Sequence, residues 1–281
     1  MRNKIVDHSN EINSGERFEF GKNWHSFLSS INDERIEEAE NSLKDIFNLS
    51  NLEGKKFLDA GSGSGLFSLA ARRLGAEVYS FDFDPISVKC TRELKNIFFK
   101  NDTEWVIDEG SVLDEEYLES LGFFDLIYSW GVLHHTGDMY KGLNNIKNLI
   151  KSEGVIAIAI YNDQDISSEF WKIVKRFYCS NNLMRFIVLA IFVPFFTLQS
   201  ILIGVVKYRN PIGHFINYKK KRGMSIYYDW IDWLGGYPFE VAKPEEIIDY
   251  FQKNNFSLSA LITTNRLGCN QFTFKKKIKS V

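Results

Sequence analysis

The segment FLDAGSGSG, residues 57–65, places three glycines at alternate positions after an acidic residue. Apolar residues lead into it and a helical pattern follows from Leu66, so the segment joins a predicted strand to a predicted helix. Glycine adopts turns that other residues avoid and lets a ligand approach bare backbone, and the N–H groups that open a helix attract polar ligand atoms. The spacing therefore predicts a nucleotide-type cofactor site at the end of a first strand.

The glycine spacing distinguishes between cofactors. A dinucleotide fingerprint, G-x-G-x-x-G, needs a third glycine where this chain has Leu66. The order Asp-x-Gly-x-Gly-x-Gly instead resembles the first motif of class I S-adenosylmethionine-dependent methyltransferases. The resemblance implies that Asp59, Gly61, Gly63 and Gly65 hold the methionine and ribose parts of that cofactor. Taken alone, the motif is also compatible with an ordinary tight turn that binds no cofactor.

Two aspartates follow the predicted second strand, residues 77–81, and we assign them different roles. Asp82 lies 21 residues after Gly61, close to the separation at which an acidic residue accepts hydrogen bonds from ribose hydroxyls. Asp84 directly precedes Pro85, as the N-cap residue of a helix does, so we expect it to cap the next helix.

The resemblance adds further cofactor contacts. We expect Phe83 to cover one face of adenine, and Ser111 and Val112, after the third strand, to approach adenine as well. Trp130 follows the fourth strand, and Trp24 belongs to an N-terminal helical segment of the kind that covers the cofactor in this class. For each residue, a plain loop or packing role remains the alternative.

Two adjacent histidines follow the fourth strand, beside the expected position of the methyl group. A hydroxyl acceptor needs a base of near-neutral pKa, and histidine suits that role. We predict His135 as the base, with His134 as a second candidate whose alternative is a structural role. Tyr161, at the end of the fifth strand, is predicted as a third catalytic residue, which would contact the acceptor beside them.

Aromatic and charged residues crowd the segment 222–238. Asp229 and Asp232 are alternative bases, and Arg222 would bind a carboxylate or phosphate of the acceptor. The residues predicted to contact the acceptor are Asn162, Arg222, Tyr228, Asp229 and Trp233. Together with residues 20–24 and 268–270, this stretch resembles a subgroup loosely related to ubiquinone-pathway methylases. Packing alone is the alternative for the aromatic side chains.

Strand and helix patterns alternate from residue 56 to residue 160. The predicted strands are 56–60, 77–81, 104–107, 124–129 and 154–160, and the predicted helices are 65–74, 85–99, 114–121 and 138–150. Such alternation indicates parallel strands with crossover helices and a ligand at the carboxyl edge of the sheet. A helix over 244–254 and an antiparallel hairpin of 256–264 with 270–275 follow.

With the resemblance, these elements predict an α/β, Rossmann-like class I methyltransferase fold. It is a mostly parallel seven-stranded sheet with an antiparallel C-terminal strand and a helical apolar insertion. We divide the chain into an N-terminal helical cap (1–55), a cofactor-binding core (56–162 and 240–281) and the insertion (163–239), which would be an acceptor cap or a membrane-contacting element.

The insertion contains 21 consecutive residues without a formal charge, 186–206. That length suits a transmembrane helix, but Pro194 is expected to kink or break the helix, and a span would separate the two halves of the sheet. An interfacial or re-entrant hairpin at a membrane and a buried cap or oligomer-forming helix pair are the alternatives. We therefore expect peripheral membrane contact or homodimerisation through 183–206.

Composition limits the function. A net charge of −2, with 44% hydrophobic and 25% charged residues, indicates a globular protein without a general preference for nucleic acid. The three cysteines lack metal or disulfide spacing, and residues 1–13 are too polar for a signal peptide. We therefore expect no metal and a cytoplasmic or membrane-associated protein.

The sequence thus predicts an enzyme that transfers a methyl group from S-adenosylmethionine to a hydroxyl of a small-molecule acceptor, which would be apolar, lipid-linked or glycan-related. The expected product is S-adenosylhomocysteine. N-methylation, RNA or protein methylation, and a non-catalytic cofactor-binding assembly module remain alternatives, although no nucleic-acid partner is expected.

Overall fold

The computed structural model describes residues 8–21, 31–222 and 226–278, apart from the side chains of residues 219–222. The strands are β1 (Lys56–Ala60), β2 (Glu77–Asp82), β3 (Trp105–Glu109), β4 (Phe124–Trp130), β5 (Ile150–Tyr161), β6 (Phe256–Ile262) and β7 (Cys269–Lys276). The helices are α1 (His8–Asn13), α2 (Asp33–Phe47), α3 (Leu66–Arg73), α4 (Pro85–Phe98), α5 (Glu115–Ser120), α6 (Met139–Asn148), α7 (Ile166–Ser180), α8 (Asn182–Tyr208), α9 (Gly213–Arg222), α10 (Ile226–Gly235) and α11 (Pro244–Lys253).

The strands form one seven-stranded sheet in the order β3-β2-β1-β4-β5-β7-β6. Strand β7 runs antiparallel to both of its neighbours, and the other pairs are parallel. The predicted fold class, with its antiparallel C-terminal strand, is therefore confirmed. Because the winding direction reverses between β1 and β4, the loops after these two strands diverge and leave a crevice at the carboxyl edge of the sheet.

Both faces of the sheet are covered by helices. Successive strand residues point to opposite faces, so Phe57 packs into one apolar layer and Leu58 into the other. Helices α2, α3 and α4 cover the face of Phe57, and α5, α6 and α11 cover the face of Leu58. The three layers hold the strand ends, and hence the crevice, in a fixed arrangement.

Strand β5 differs most from its predicted bounds, because it begins at Ile150 instead of residue 154. The segment Lys-Ser-Glu-Gly reads as a turn in the sequence, but the structure absorbs it as an irregularity in the pairing of β4 with β5. Glu153 takes a positive φ of 62° there, a conformation that is uncommon outside glycine. Pairing to Phe124 and Leu126 on either side keeps the strand continuous.

Helices α7 to α10 form the insertion between β5 and α11, and α8 is its longest element. The expected break at Pro194 is absent, because α8 runs through that residue as one helix of 27 residues. A proline inside a helix removes one backbone hydrogen bond, at a cost of about 3 kcal/mol. The helical turns before and after Pro194 keep their own backbone hydrogen bonds, so the helix continues. Phe192 and Phe196, on one face of α8, also pack against the remainder of the insertion and hold the helix in place.

Candidate active site

A cleft of about 740 Å³ opens at the carboxyl edge of the sheet. Its walls come from the loops after β1, β2, β3 and β4, from the end of β5, from α10 of the insertion and from the N-terminal segment 8–21. Elements far apart in the chain therefore meet at the crevice that the strand order predicts.

The glycine loop presents backbone to this cleft. Gly61 and Gly63 both line it, with φ of 90° and 54°. A Cβ added to Gly61 would lie 2.4 Å from the side chain of Val132, so only glycine fits beside the loop that follows β4. The N–H of Gly63 donates to Asp82 Oδ2 at 2.8 Å, which ties the loop to the end of β2.

Gly65 and Asp59, also predicted to hold the cofactor, lie behind the loop and are not among the residues that line the cleft. A Cβ on Gly65 would lie 2.8 Å from Thr91 Cα, so this glycine serves the close packing of α3 on α4. Asp59 is 2% exposed and accepts a hydrogen bond from Ser68 Oγ on α3. Burial raises the pKa of its carboxyl to about 7. Both residues therefore position the loop from the protein interior.

Asp82 lines the cleft at the end of β2. Its two oxygens accept the N–H groups of Gly63 and, at 2.9 Å, of Asp84. Burial raises the pKa of the carboxyl to about 6 despite these hydrogen bonds. A carboxylate has about four acceptor positions, so Asp82 keeps capacity for hydroxyl groups in the cleft.

The capping role predicted for Asp84 is confirmed. Its side chain accepts the N–H of Ile86 at 2.8 Å in the first turn of α4. It also accepts the N–H of Gly21 at 2.7 Å, and His8 Nε2 lies 3.6 Å from its Oδ2. Asp84 therefore joins the N-terminal segment to the rim of the cleft.

The other residues predicted to contact the cofactor fall into two groups. Phe83, Ser111, Val112 and Trp130 all line the cleft. The Trp130 ring stacks on Tyr128 of the same strand, with centroids 5.3 Å apart and planes within 3°, which fixes its orientation. Trp24 lies outside the described residues.

The structure separates the two histidines. His135 lines the cleft, and its Nδ1 lies 2.7 Å from the carbonyl oxygen of Pro238. A carbonyl only accepts, so Nδ1 carries the proton and Nε2 carries the lone pair. Burial lowers the pKa of His135 to about 3, which keeps the ring neutral at physiological pH.

His134, the second candidate for the base, does not line the cleft, and its surroundings fit the structural alternative. It is 1% exposed, and its Nδ1 accepts the N–H of Tyr161 at 3.3 Å. Burial holds its pKa well below the ordinary value. His134 therefore packs against the end of β5, whereas Tyr161, whose ring centroid is 4.0 Å from that of His134, does line the cleft.

Three of the six acceptor residues and alternative bases line the cleft: Asp229, Asp232 and Trp233. They are three and four residues apart and so share one face of α10. The Tyr218 hydroxyl of α9 donates to Asp229 Oδ2. Tyr228 is 40% exposed and lies outside the lining, and the Arg222 side chain lies outside the described residues.

Asn162, predicted to contact the acceptor, is also absent from the cleft lining. Its Nδ2 donates to the carbonyl oxygen of Thr264 at 2.9 Å, and its Oδ1 accepts from Asn270 Nδ2 at 3.0 Å. These buried bonds use the amide to join the end of β5 to the hairpin of β6 and β7. Asn162 is therefore a structural residue.

Arg17 lines the cleft and was missed by the sequence reasoning. Its Nη1 donates to the His135 carbonyl oxygen at 2.9 Å, and its guanidinium lies 4.9 Å from the centroid of Phe83. Its Nε also donates to Glu11 of α1. No local motif marks an arginine in a polar N-terminal stretch, so only the fold reveals its position.

Lys175 of α7 is a second residue that sequence reasoning missed. It is fully buried, donates to the Trp233 carbonyl oxygen, and lies 4.1 Å from the centroid of the Trp233 ring. Burial lowers the pKa of its amine to about 7. It therefore fixes the α10 wall of the cleft from behind.

Comparison with known proteins gives consistent matches. A family model described as a methyltransferase domain matches residues 31–202. A ubiquinone biosynthesis O-methyltransferase of Rhodopseudomonas palustris (strain TIE-1) is 28% identical over 135 residues, 48% of this chain and 50% of that protein. A ribosomal protein L11 methyltransferase of Prochlorococcus marinus (strain MIT 9515) is 37% identical over 123 residues, 42% of this chain and 38% of that protein. The chain thus spans about half the length, or less, of these curated relatives.

Among solved structures, magnesium protoporphyrin IX methyltransferase of Synechocystis PCC 6803 with bound S-adenosylmethionine shares the fold. The superposition has a TM-score of 0.51 and covers 98% of this chain and 92% of that chain, at 11% identity.

Proposed function

The chain belongs to the methyltransferase domain family and uses S-adenosylmethionine as its cofactor, and we propose that it methylates a hydroxyl oxygen of a small-molecule acceptor. One observation carries the proposal. A single cleft holds the glycine loop and Asp82, from β1 and β2, together with His135, Tyr161 and Trp233, from the loop after β4, the end of β5 and the insertion. A donor and an acceptor would therefore lie side by side.

The β1 and β2 side of the cleft fits the cofactor. Gly61 and Gly63 offer bare backbone, and Asp82 keeps acceptor capacity for ribose hydroxyls. Phe83 and Val112 offer apolar surface for adenine. When bound, S-adenosylmethionine supplies a methyl group on a positively charged sulfur.

His135 is the base in this proposal. The hydrogen bond from Nδ1 to the Pro238 carbonyl fixes the tautomer, so the Nε2 lone pair is the one available to take the hydroxyl proton. Because burial keeps the ring neutral, this lone pair is available across the physiological range of pH. The same low pKa makes His135 a weaker base than the near-neutral one expected from the sequence, so in this proposal it works mainly by accepting a hydrogen bond from the hydroxyl and orienting it toward the methyl group.

The acceptor side of the cleft is aromatic. The Tyr161 ring lies 5.9 Å from the Trp233 ring at nearly a right angle, and Phe20 lies 4.8 Å from His135. Such walls suit a planar or largely apolar acceptor and hold it close to the methyl donor, which supplies much of the rate acceleration. Asp229 and Asp232 provide polar atoms at the same wall.

The relatives differ in what they methylate, since one is a ubiquinone biosynthesis O-methyltransferase and the other a ribosomal protein L11 methyltransferase. The histidine with a fixed, unprotonated Nε2 supports an oxygen acceptor, because an amine needs less help from a base. The aromatic wall of Tyr161 and Trp233 supports a small molecule.

A direct test incubates the purified protein with S-adenosylmethionine and a panel of phenols, other alcohols and amines of matched size, and detects methylated products by mass spectrometry. We expect O-methylated products, and a fall in kcat of about 100-fold or more in His135→Ala. Affinity for S-adenosylmethionine should stay within about twofold to threefold.

The matched control is His214→Ala, a histidine of α9 outside the cleft lining, which should keep full activity. Methylation of amines alone, or full activity in His135→Ala, would contradict the proposal. Loss of activity in Asp232→Asn with full activity in His135→Ala would transfer the role of the base to α10.

A further inference from the structure

Helices α7, α8 and α9 of the insertion carry an excess of positive charge, which acidic residues elsewhere in the chain, including Asp229 and Asp232 of α10, balance. Residues 166–222 contain ten lysines and arginines and one acidic residue, Glu169, whereas the whole chain has a net charge of −2. Such segregation produces a long-range attraction to anionic surfaces from one part of the molecule.

Helix α8 has an apolar face that nothing in the described structure covers. This outer stripe consists of Ile187, Ile191, Phe195, Leu198, Leu202 and Val205, which are 40–59% exposed. Their spacing of three and four residues places them on one side of the helix. The adjacent side, about 100° around the helix, carries Val188, Phe192 and Phe196 and packs inward. Over a length of about 30 Å this exposed side has no charged residue.

Helix α7 extends the same kind of surface. Its exposed apolar residues are Ile166, Phe170, Ile173 and Phe177, which are 51–87% exposed and again three and four residues apart. The Phe170 ring lies 6.4 Å from Phe192 of α8, so the two helices are neighbours. Lys172 and Arg176 are exposed on α7 next to these apolar residues. Apolar area with flanking basic residues is the combination that binds the interface of an anionic membrane.

Among the described residues, α8 is the one helix long and apolar enough to cross a membrane, with a mean hydropathy of 2.5 and 11% of its apolar window buried. Crossing is incompatible with the fold. Strand β5 precedes α7 and α8, and β7 follows them, yet β5 and β7 pair over seven residues. Helix α10, beyond α8, also returns to α7, where Cys179 Sγ contacts the Gly235 carbonyl oxygen at 3.1 Å. Both ends of α8 therefore lie on the same side of any membrane that the helix contacts.

We propose that the outer stripe of α8 and the exposed apolar residues of α7 dock this protein on the surface of an anionic lipid membrane, with α8 parallel to the membrane plane. Charge favours lipid over a second copy of the chain, because a two-fold contact through this face would bring like charges together. Buried apolar area supplies the affinity and the basic residues supply the preference for anionic lipid.

The test is flotation of the full chain with preformed vesicles, without methyl donor or acceptor, so its outcome does not depend on the proposed function. One set of vesicles is phosphatidylcholine, and the other contains about one-third phosphatidylglycerol. We expect binding about tenfold or more stronger to the anionic set, weakened by salt. The variant Ile191→Glu/Phe195→Glu should lose at least about tenfold of that binding, because it places charges in the acyl boundary.

The matched control is Ile97→Glu/Phe123→Glu, which changes two comparably exposed apolar residues, 72% and 62% exposed, outside the insertion. It should bind vesicles within about twofold of the wild type. A second variant, Lys172→Glu/Arg176→Glu, should lose the preference for anionic lipid. Thermal melting of each variant checks that it is folded.

Three results would overturn the inference. They are the absence of wild-type binding to anionic vesicles, equal binding by the outer-stripe variant and the wild type, and equal binding to neutral and anionic vesicles. Sedimentation velocity tests the alternative that a second copy of this chain, and no membrane, covers the face. A wild-type dimer that Ile191→Glu/Phe195→Glu dissociates, without vesicle binding, would assign the face to a second copy of this chain.

Discussion

Two carboxylates, the buried Asp59 and the partly buried Asp82, organise the proposed cofactor side of the cleft, and their environments give them different roles. Asp82 faces the cleft and accepts backbone N–H groups from both the glycine loop and Asp84. Asp59 lies behind the loop and accepts from Ser68. Burial raises the pKa of both, to about 6 and about 7. Each aspartate is thus poised to change protonation near neutral pH, with separate consequences for binding and for stability.

Replacing Asp82 by asparagine should weaken binding of S-adenosylmethionine by about tenfold to 100-fold, because the bonds from ribose hydroxyls lose a charged acceptor. Titration calorimetry measures this change. In the wild type, affinity should also fall as the pH drops through about 6, where the carboxyl takes up a proton. Asp138→Asn, which changes an exposed cap of α6, is the matched control and should bind normally. Normal affinity in Asp82→Asn would contradict the role.

Asp59→Asn should gain stability relative to the wild type as the pH rises. The folded carboxyl has a raised pKa, so between 3.8 and about 7 the folded state holds a proton that the unfolded state releases, and wild-type stability declines through that window. The amide removes this decline, which is at most about 1.4 kcal/mol per pH unit.

Urea unfolding at pH 5, 6 and 7 measures the difference for Asp59→Asn. Asp125→Asn is the control, because the hydrogen bonds and charge of Lys151 and the N–H of Lys56 lower the pKa of Asp125, so its contribution should be nearly constant over this range. An equal pH dependence in Asp59→Asn and the wild type would show that Asp59 is already ionised at pH 5.

At the level of elements, the glycine motif both exposes backbone to the cleft and allows close packing of two helices. Its first two glycines expose backbone to the cleft, and the third allows α3 to approach α4 at Thr91. In the sequence the three glycines look equivalent. Their different roles follow from the atoms that lie beside each one in the folded chain. The loop is therefore fixed by helix packing as much as by its own turns.

Gly65→Ala should destabilise the fold by about 2–4 kcal/mol, since it combines a strained φ of 81° with a Cβ 2.8 Å from Thr91 Cα. Gly122→Ala is a matched control. Its φ is 78°, but no atom lies within 4 Å of the added Cβ, so it should lose only about 1 kcal/mol. Chemical denaturation compares the two. An equal loss of unfolding free energy in the two variants would mean that α3 and α4 can move apart at no cost in stability.

At the level of the whole molecule, three distant parts of the chain close one cleft. The sheet provides the proposed cofactor side, α10 of the insertion provides the proposed acceptor wall, and the N-terminal segment lines the cleft with both. The N–H of Phe18 donates to the Tyr237 carbonyl oxygen at 2.8 Å, while Arg17 contacts both Phe83 and His135. An aromatic series from Trp233 through Trp171 to Phe196 also places the cleft wall one layer behind the proposed membrane-docking face.

Arg17→Met should loosen the N-terminal segment, because it removes the hydrogen bond to the His135 carbonyl and the cation over Phe83. We expect faster amide hydrogen exchange in residues 8–21 and a several-fold loss of affinity for S-adenosylmethionine. Arg73→Met, which removes an ion pair to Glu40 on the outer side of α3, is the control and should change neither. Unchanged exchange in Arg17→Met would show that other contacts hold the segment.

The sequence by itself determined the fold class, the glycine loop and the position of Asp82 at the carboxyl edge. These features depend on short spacings and on strand and helix periods, which are local and can be read along the chain. It also marked the apolar insertion, because 21 uncharged residues stand out in any context.

Only the tertiary structure decided which residues face the cleft. The two histidines are adjacent in sequence, yet one lines the cleft and the other packs beneath Tyr161. The deciding contacts join residues more than 100 positions apart, from His135 to Pro238, from Arg17 to the His135 carbonyl, and from Asn162 to Asn270. Such partners are brought together by packing of the whole chain, so no local pattern encodes them.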